Sequence, residues 1–388
     1  MKICPHNDFC GGCLYQGVSY EEQVRIKEKE VEDLLLEYGI EPKENLGFQP
    51  SPQIYRYRNK MEYTFGDMEK GGATTLGLHQ KGHFMNIVTT DECQLVDNDF
   101  NIILKAVLDF AKINDYKHYN KKLHQGILRH LVIRKGERTG ELLINLVTSS
   151  QGDFSEEKLL EILLNLTHEL NGTLVGILRT INDNVADTVK SDETRILFGR
   201  DYYHERMMGL TFEVGSFSFF QTNVVAAENL YKESLAMIPD RKDKVFFDLY
   251  CGTGTITQAL ALEAKKTIGI EIVPDAVHFA KKNAKRNNLS NCEFIEGDVL
   301  KVLDLIGDKP DIIVMDPPRS GIQPKALAKI MALKVPQILY ISCNPKTMMN
   351  NLVALKEEGY GVSKFKAYDN FPFTKHVETV VLITRIEK

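Results

Sequence analysis

The chain lacks any apolar run approaching the roughly 18 residues that a bilayer-crossing helix needs. Its start, Met1-Lys2-Ile3-Cys4-Pro5-His6, also lacks the apolar segment of a secretion signal. These absences point away from a membrane and toward the cytoplasm. An excess of positive charge is missing too. The 48 Lys and Arg against 53 Asp and Glu give a formal net charge of -5, so any nucleic-acid site must be local. Internal repeats and low-complexity segments are absent. Seven cysteines, an odd number unevenly spread, do not read as a disulfide framework in a reducing compartment. What is present is ample apolar material: 388 residues at 43% hydrophobic can bury two or three cores.

The chain changes rhythm twice. Residues 20–38 carry Val24, Val31, Leu34, Leu35 and Tyr38 at helical spacing, and Gly39 closes the segment. From 55 to 198, β-like runs at 60–65, 75–79, 85–88, 127–134, 141–147 and 173–181 alternate with glycine turns, interrupted by helical stretches at 98–112 and 154–170. From Val214 onward helices and strands alternate, which predicts a doubly wound parallel sheet. A last helix at 346–358 and strands at 362–369 and 377–385 are expected to form an antiparallel edge. The expected domains are a cysteine-rich head with its helix (1–50), a mixed α+β middle (51–212) and a Rossmann-like α/β domain (213–388). Within the middle, Lys117, Lys121, Lys122, Arg129, Arg134, Lys135 and Arg138 outweigh Asp115 and Glu137, with His118, Tyr119, His124 and His130 interleaved. Such a stretch suits phosphates and bases, or equally a solvated strand face.

The first strand of the α/β part ends in Asp248-Leu249-Tyr250 and runs into Cys251-Gly252-Thr253-Gly254-Thr255 before a helix. Glycines there let a ligand approach the backbone at a helix N-terminus. No third glycine falls at the dinucleotide spacing and no Lys-Ser or Lys-Thr follows, which argues against NAD and triphosphate sites. Glu271, seventeen residues after Gly254 at the end of the second strand, can accept hydrogen bonds from both ribose hydroxyls. Asp298, after the third strand, can meet an adenine amino group. Taken singly, these are a tight turn and two helix caps; in this order they resemble the S-adenosylmethionine fold of methyltransferases.

Two further strand ends carry chemistry. In amino-group methyltransferases the fourth strand ends in a motif that Asp316-Pro317-Pro318 resembles, followed by an aromatic; here Arg319 stands instead, which favours a ring carbon over an exocyclic amine. Carbon 5 of uracil is too electron-poor to attack a methylsulfonium until a nucleophile adds at carbon 6. A soft thiolate suits that step, and a base must then remove the carbon 5 proton. Cys343, in Ser342-Cys343-Asn344-Pro345 just past a strand, is placed to attack, although an arbitrary Cys is more often a small buried hydrophobe. Glu378, at the start of the last strand, fits the base, or is an exposed strand-end acid.

Phe219-Phe220-Gln221-Thr222-Asn223, Asp248 to Gly254, Asp316 to Arg319, Ser342 to Pro345 and His376-Val377-Glu378-Thr379 resemble, in order, the motifs of the RNA uracil-5-methyltransferase family. The resemblance implies Cys343 as nucleophile and Glu378 as base. It matches Gln221, Tyr250, Glu271, Asp298 and Asp316 to the family's cofactor-contacting positions, beside the backbone approach at Gly252. Asp316 and Gln221 are further expected to reach the uracil edge. Thr255 stands where some members carry Asn, so that contact is not carried over. The target uridine must be unstacked, as a flipped or loop base.

Cys4, Cys10 and Cys13 with the distant Cys93 supply four thiolates, enough for tetrahedral zinc or a four-iron cluster. Cys10-Gly11-Gly12-Cys13 resembles the head of the 23S ribosomal RNA branch of the family, which implies a structural 4Fe-4S cluster, with zinc as the alternative. The same resemblance assigns the middle region to RNA contact. Many members of that branch carry an N-terminal RNA-binding β-barrel, and this chain is expected to lack it. The expectation is a cytoplasmic S-adenosylmethionine-dependent enzyme acting on 23S ribosomal RNA. A transfer-RNA uridine methyltransferase and a non-catalytic RNA-binding ribosome-assembly protein are the alternatives. Protein partners are not indicated.

Overall fold

Local capping starts the first helix. In the computed structural model, which describes residues 3–185 and 192–386, Ser19 accepts from the Glu22 backbone N–H and opens α1 (Tyr20–Glu37). Residues 1–2 and 387–388, at the outer domain limits drawn above, lie outside the described residues. Val31 and Leu35 face the core, yet Lys27 on the same side is fully buried. Its Nζ lies 2.7 Å from Asp369 Oδ1, also buried, and donates to the Phe371 carbonyl at 3.1 Å. Removing one partner of such a pair strands a charge out of water. Lys27→Met is therefore expected to cost about 3–5 kcal/mol of stability, measured as a lower midpoint in urea denaturation. Neutralising Asp369 in the same chain should restore part of the loss. After α1 comes β1 (Glu44–Gln49).

The middle of the chain folds as a seven-stranded sheet of β2 (Lys60–Asp67), β3 (Thr74–Gln80), β4 (His83–Thr89), β5 (Leu128–Lys135), β6 (Glu141–Thr148), β7 (Thr173–Ile181) and β8 (Glu193–Gly199), in the order β4-β3-β2-β5-β6-β7-β8. Helices α2 (Asn98–Ile113) and α3 (Glu156–Asn165) cover it, with Phe100, Ile103 and Leu104 packed in one core with Leu131, Ile133 and Ile144. Most of the basic stretch is tied into this fold. Arg129 donates to the carbonyls of Asn182 and Asn184, and Arg134 to those of Ser216 and Ser218. Lys135 pairs with Asp97 and Asp99, Arg138 with Glu228, and Lys117 with Asp115. Arg134 thereby joins the middle sheet to the segment leading into the α/β part, and Arg129 ties β5 to the turn after β7, so neither lines a face for phosphates.

A ribbon of β9 (Tyr202–Met207) and β10 (Leu210–Gly215) follows. Then come α4 (Val224–Ala236), β11 (Val245–Leu249), α5 (Thr255–Ala261), β12 (Lys266–Glu271), α6 (Pro274–Arg286), β13 (Cys292–Glu296), α7 (Val299–Val302), β14 (Ile312–Met315), α8 (Pro324–Ala332), β15 (Gln337–Ser342), α9 (Pro345–Glu357), β16 (Tyr360–Tyr368) and β17 (Glu378–Arg385). The eight-stranded sheet runs β1-β16-β17-β15-β14-β11-β12-β13, with every pair parallel except β15 with β17 and β16 with β17. Its central strands are buried throughout β14, the signature of a sheet covered on both faces.

The sheet corrects two expectations. β17 inserts between β15 and β16, and the edge is β1, supplied by the N-terminal segment. Residues 20–49 thus belong to the α/β unit rather than to a separate head, and Val31 and Leu35 share a core with Phe247 and Ile313. At the other limit, residue 213 falls inside β10, whose Phe212 and Val214 pack with Val224 and Phe246. Polar Glu44-Asn45 gave no strand signal because an edge strand need not be apolar. Among the described residues, no helix is long and apolar enough to cross a membrane.

Candidate active site

The strand ends converge. β11, β12, β13, β14 and β15 are mutually parallel, so Tyr250, Glu271, Glu296, Asp316 and Cys343 all fall at or beyond the same end of the sheet. β17 runs the opposite way, which brings its first residue to that end as well. Ser342 is registered against Thr379, so Cys343 and Glu378 flank the next position along the two strands. Thr379 Oγ1 donates to the Ser342 carbonyl at 3.2 Å and locks this junction.

The Cys343 turn is braced from both sides. Ser342 Oγ accepts from the Asn344 N–H at 3.1 Å, Asn344 Nδ2 donates to the Arg319 carbonyl at 2.9 Å, and Pro345 starts α9. The thiol is half-buried. Burial raises its pKa to about 12, aided by the charges of Glu378 and Asp316 and opposed by Arg319. Glu378 is buried, and desolvation followed by the Asp316 charge pushes its carboxyl well above the usual range, again against Arg319. A carboxylate so raised is a stronger base when ionised. Arg319 Nη2 reaches His376 Nδ1 at 3.1 Å. Burial and then the Arg319 charge lower His376 to about 4, which keeps the ring neutral, with its proton on Nε2 by this hydrogen bond.

Asp316 is raised to about 7 by burial, partly offset by a hydrogen bond with the Tyr231 hydroxyl. Gln221 Nε2 donates to that same hydroxyl at 2.7 Å. The three form a chain from the segment before α4 to the end of β14. Next to it, Asp248 is fully buried and raised to about 7, first by burial, while Thr257 Oγ1 donates to its Oδ2 at 2.5 Å.

Backbone geometry shapes the turn after β11. Tyr250, Gly252 and Gly254 all have positive φ, at 66°, 55° and 75°. A Cβ at Gly254 would meet Phe294 at 2.5 Å, so only glycine fits. A tyrosine in that region carries strain of a kind that collects at binding sites. Glu271 Oε2 accepts from the Gly252 N–H at 3.0 Å and Oε1 from the Val273 N–H at 2.9 Å. Asp298 Oδ1 accepts from the Leu300 N–H at 2.9 Å and caps α7. The capping role foreseen for these acids holds for Asp298 but not for Glu271, which braces the glycine turn while α6 has no side-chain cap; each carboxylate oxygen keeps a second lone pair for a ligand. Gly252, Tyr250, Glu271 and Asp298 line up along β11, β12 and β13, and Gln221 and Asp316 stand toward Cys343.

The four head cysteines come together. Cys4, Cys10, Cys13 and Cys93 all line one cavity of about 420 Å³, and all seven cysteines are free. Among the described residues no three His, Cys, Asp or Glu side chains converge closely enough to hold a metal ion as they stand. The same cavity is lined by Thr222, next to Gln221, and by His376, two residues before Glu378. The Leu14 and Tyr15 N–H groups, just past Cys13, donate to the Phe373 carbonyl at 2.8 and 3.1 Å. Sequence reasoning missed Tyr231, whose place on an apolar helix face reads as core. It also passed over Asp248 as a site residue, although the acid stood in the quoted motif, and the Arg319–His376 pair.

Similarity to known proteins follows the same lines. A family model described as tRNA (Uracil-5-)-methyltransferase matches residues 19–386. An uncharacterized RNA methyltransferase of Clostridium acetobutylicum is 50% identical over 382 residues, 98% of this chain and 83% of the relative. One of Clostridium tetani is 48% identical over the same coverage. The crystal structure of Pyrococcus abyssi tRNA (uracil-54, C5)-methyltransferase in complex with S-adenosyl-L-homocysteine superposes with a TM-score of 0.79 at 27% identity, covering 97% of this chain and 85% of that one.

Proposed function

This chain belongs to the tRNA (uracil-5-)-methyltransferase family and is an S-adenosylmethionine-dependent RNA methyltransferase, and from that premise we propose that it methylates carbon 5 of a specific uridine in 23S ribosomal RNA through a covalent Cys343 adduct. The observation that carries the mechanism is the β15–β17 register, which sets thiol and carboxyl side by side. Cys343 Sγ, once deprotonated, bonds to carbon 6, and the ring electrons move to an enolate. S-adenosylmethionine, when bound, supplies a methyl group on a sulfonium, which carbon 5 takes. Glu378 then receives the carbon 5 proton, the C5–C6 double bond re-forms, and Sγ leaves with its electron pair. Gly252 and Tyr250 would border the donor, Glu271 its ribose and Asp298 its adenine. Asp316, held by Tyr231 and Gln221, would present hydrogen-bonding oxygens to donor and uracil edge.

For the head we propose a structural 4Fe-4S cluster, with zinc as the alternative. Its support is the resemblance of Cys10-Gly11-Gly12-Cys13 together with the cavity that Cys4, Cys10, Cys13 and Cys93 all line; the thiols would have to draw closer to hold either. Zinc would take all four sulfurs at about 2.3 Å from one point, a four-iron core one thiolate at each iron. The same resemblance supports the ribosomal RNA reading. Transfer RNA is the second reading, favoured by the substrate of the Pyrococcus abyssi enzyme. The test is incubation with methyl-labelled S-adenosylmethionine and unmodified total RNA, then nuclease mapping. Label at 5-methyluridine in 23S RNA is expected. Label in transfer RNA alone would establish the second reading, and none in either would reject both. Anaerobically purified protein should carry about four iron and four sulfide per chain; zinc without iron would overturn the cluster.

A further inference from the structure

Around the β3–β4 hairpin, lysines stand beside an exposed aromatic ring. The bend between β3 and β4 leaves Lys81 exposed, the first residues of β4 leave His83, Phe84 and Met85 exposed, and the loop before β5 leaves Lys122 and Leu123 exposed. The strand pairing slips between His79 and Gln80, a bulge of the kind that re-aims side chains. Phe84, next after His83 of the shifted Gln80–His83 pair, is 72% exposed. The ring stacks on His79 with centroids 4.6 Å apart and planes 8° from parallel, and Lys121 Nζ stands 5.8 Å from its centroid. A recess of about 490 Å³ beside the ring reaches Gly11 and Gly12 in the cysteine loop and is also lined by Lys81.

An exposed ring braced parallel to a second ring is poor material for a core and good material for extending a stack. Aromatic faces accept any base, and lysines alongside hold the neighbouring phosphates. We propose that Phe84, backed by His79 and flanked by Lys81 and Lys121, is a stacking platform for one unpaired base of the RNA substrate. The platform rests on the reading of RNA as substrate. It adds a contact outside the methyl-transfer centre that the motifs do not mark. Charge selects the occupant: a polyanion with planar bases complements two lysines around an aromatic, while an apolar partner does not.

The test is binding of a fluorescein-labelled twelve-nucleotide oligouridylate, followed by anisotropy at low salt. Phe84→Ala is expected to weaken binding about tenfold, the loss of one stacked base, and Phe84→Tyr, which keeps the π-face, to restore it. Lys81→Glu should weaken binding and flatten its salt dependence, and it serves if Phe84→Ala does not fold. Unchanged affinity in Phe84→Ala and Lys81→Glu would overturn the platform. So would a Phe84→Ala protein that binds normally but loses self-association in sedimentation, which would assign the patch to a second copy. Methyl transfer to total RNA, measured on the same samples, separates the two readings. Phe84-dependent binding without transfer upholds the platform and rejects the catalytic reading. Transfer with Phe84-independent binding does the reverse.

Discussion

Cys343→Ala is expected to lower methyl transfer by about ten-thousand-fold or more, because without a sulfur at carbon 6 no other step can make carbon 5 nucleophilic. The donor affinity should stay within about twofold, since the glycine turn and Glu271 are built by other strands. Isothermal titration with S-adenosylmethionine and single-turnover kinetics separate the two effects. The wild-type kcat/KM should also climb with pH above neutrality. Burial holds the thiol at about 12 in the free protein, so the reactive thiolate becomes more abundant as pH rises. The trace activity of the Ala variant should lack that slope. A variant retaining wild-type rates would remove covalent catalysis altogether.

Glu378→Gln makes the opposite kind of defect. The amide keeps the shape of a side chain that is buried beside Cys343 and Asp316, but it cannot accept the carbon 5 proton. Attack and methyl transfer should proceed once and elimination should stall. The expected record is a burst of about one methyl per enzyme followed by turnover lowered about a hundred- to ten-thousand-fold. Rapid-quench measurement of labelled methyl in RNA reads both phases. A steady rate without a burst, equal to wild type, would place the base elsewhere. The buried amide should not destabilise the fold, because Glu378 already resists ionisation there.

The positions legible in the sequence are those set by strand order. Glu271 and Asp316 each end an apolar run and Cys343 follows one, and a parallel sheet delivers such ends to one cleft. Glu378 was harder to place, because only the antiparallel insertion of β17 beside β15 turns a strand start into a neighbour of Cys343. That insertion has no local signal. The same holds for β1, a polar segment that becomes the sheet edge, and for Lys27, which reads as a solvated helix position and is buried against Asp369. The basic stretch misled for a related reason. Arg129 and Arg134 look like surface cations in one dimension, and their guanidinium groups are absorbed by carbonyls more than 50 residues away in sequence. Long-range pairing of polar groups carries no periodicity, so motif spacing points to the candidate site residues while their supports stay hidden.

The central claim is a bond between Cys343 Sγ and carbon 6 of an RNA uracil. It is tested most directly by digesting the Glu378→Gln protein after reaction with unmodified RNA and sequencing the cross-linked peptide by mass spectrometry. The account predicts a methylated uridine attached to the peptide at Cys343. A uridine attached to another residue, or methylated RNA with every Cys343 thiol still free to alkylation, would contradict it.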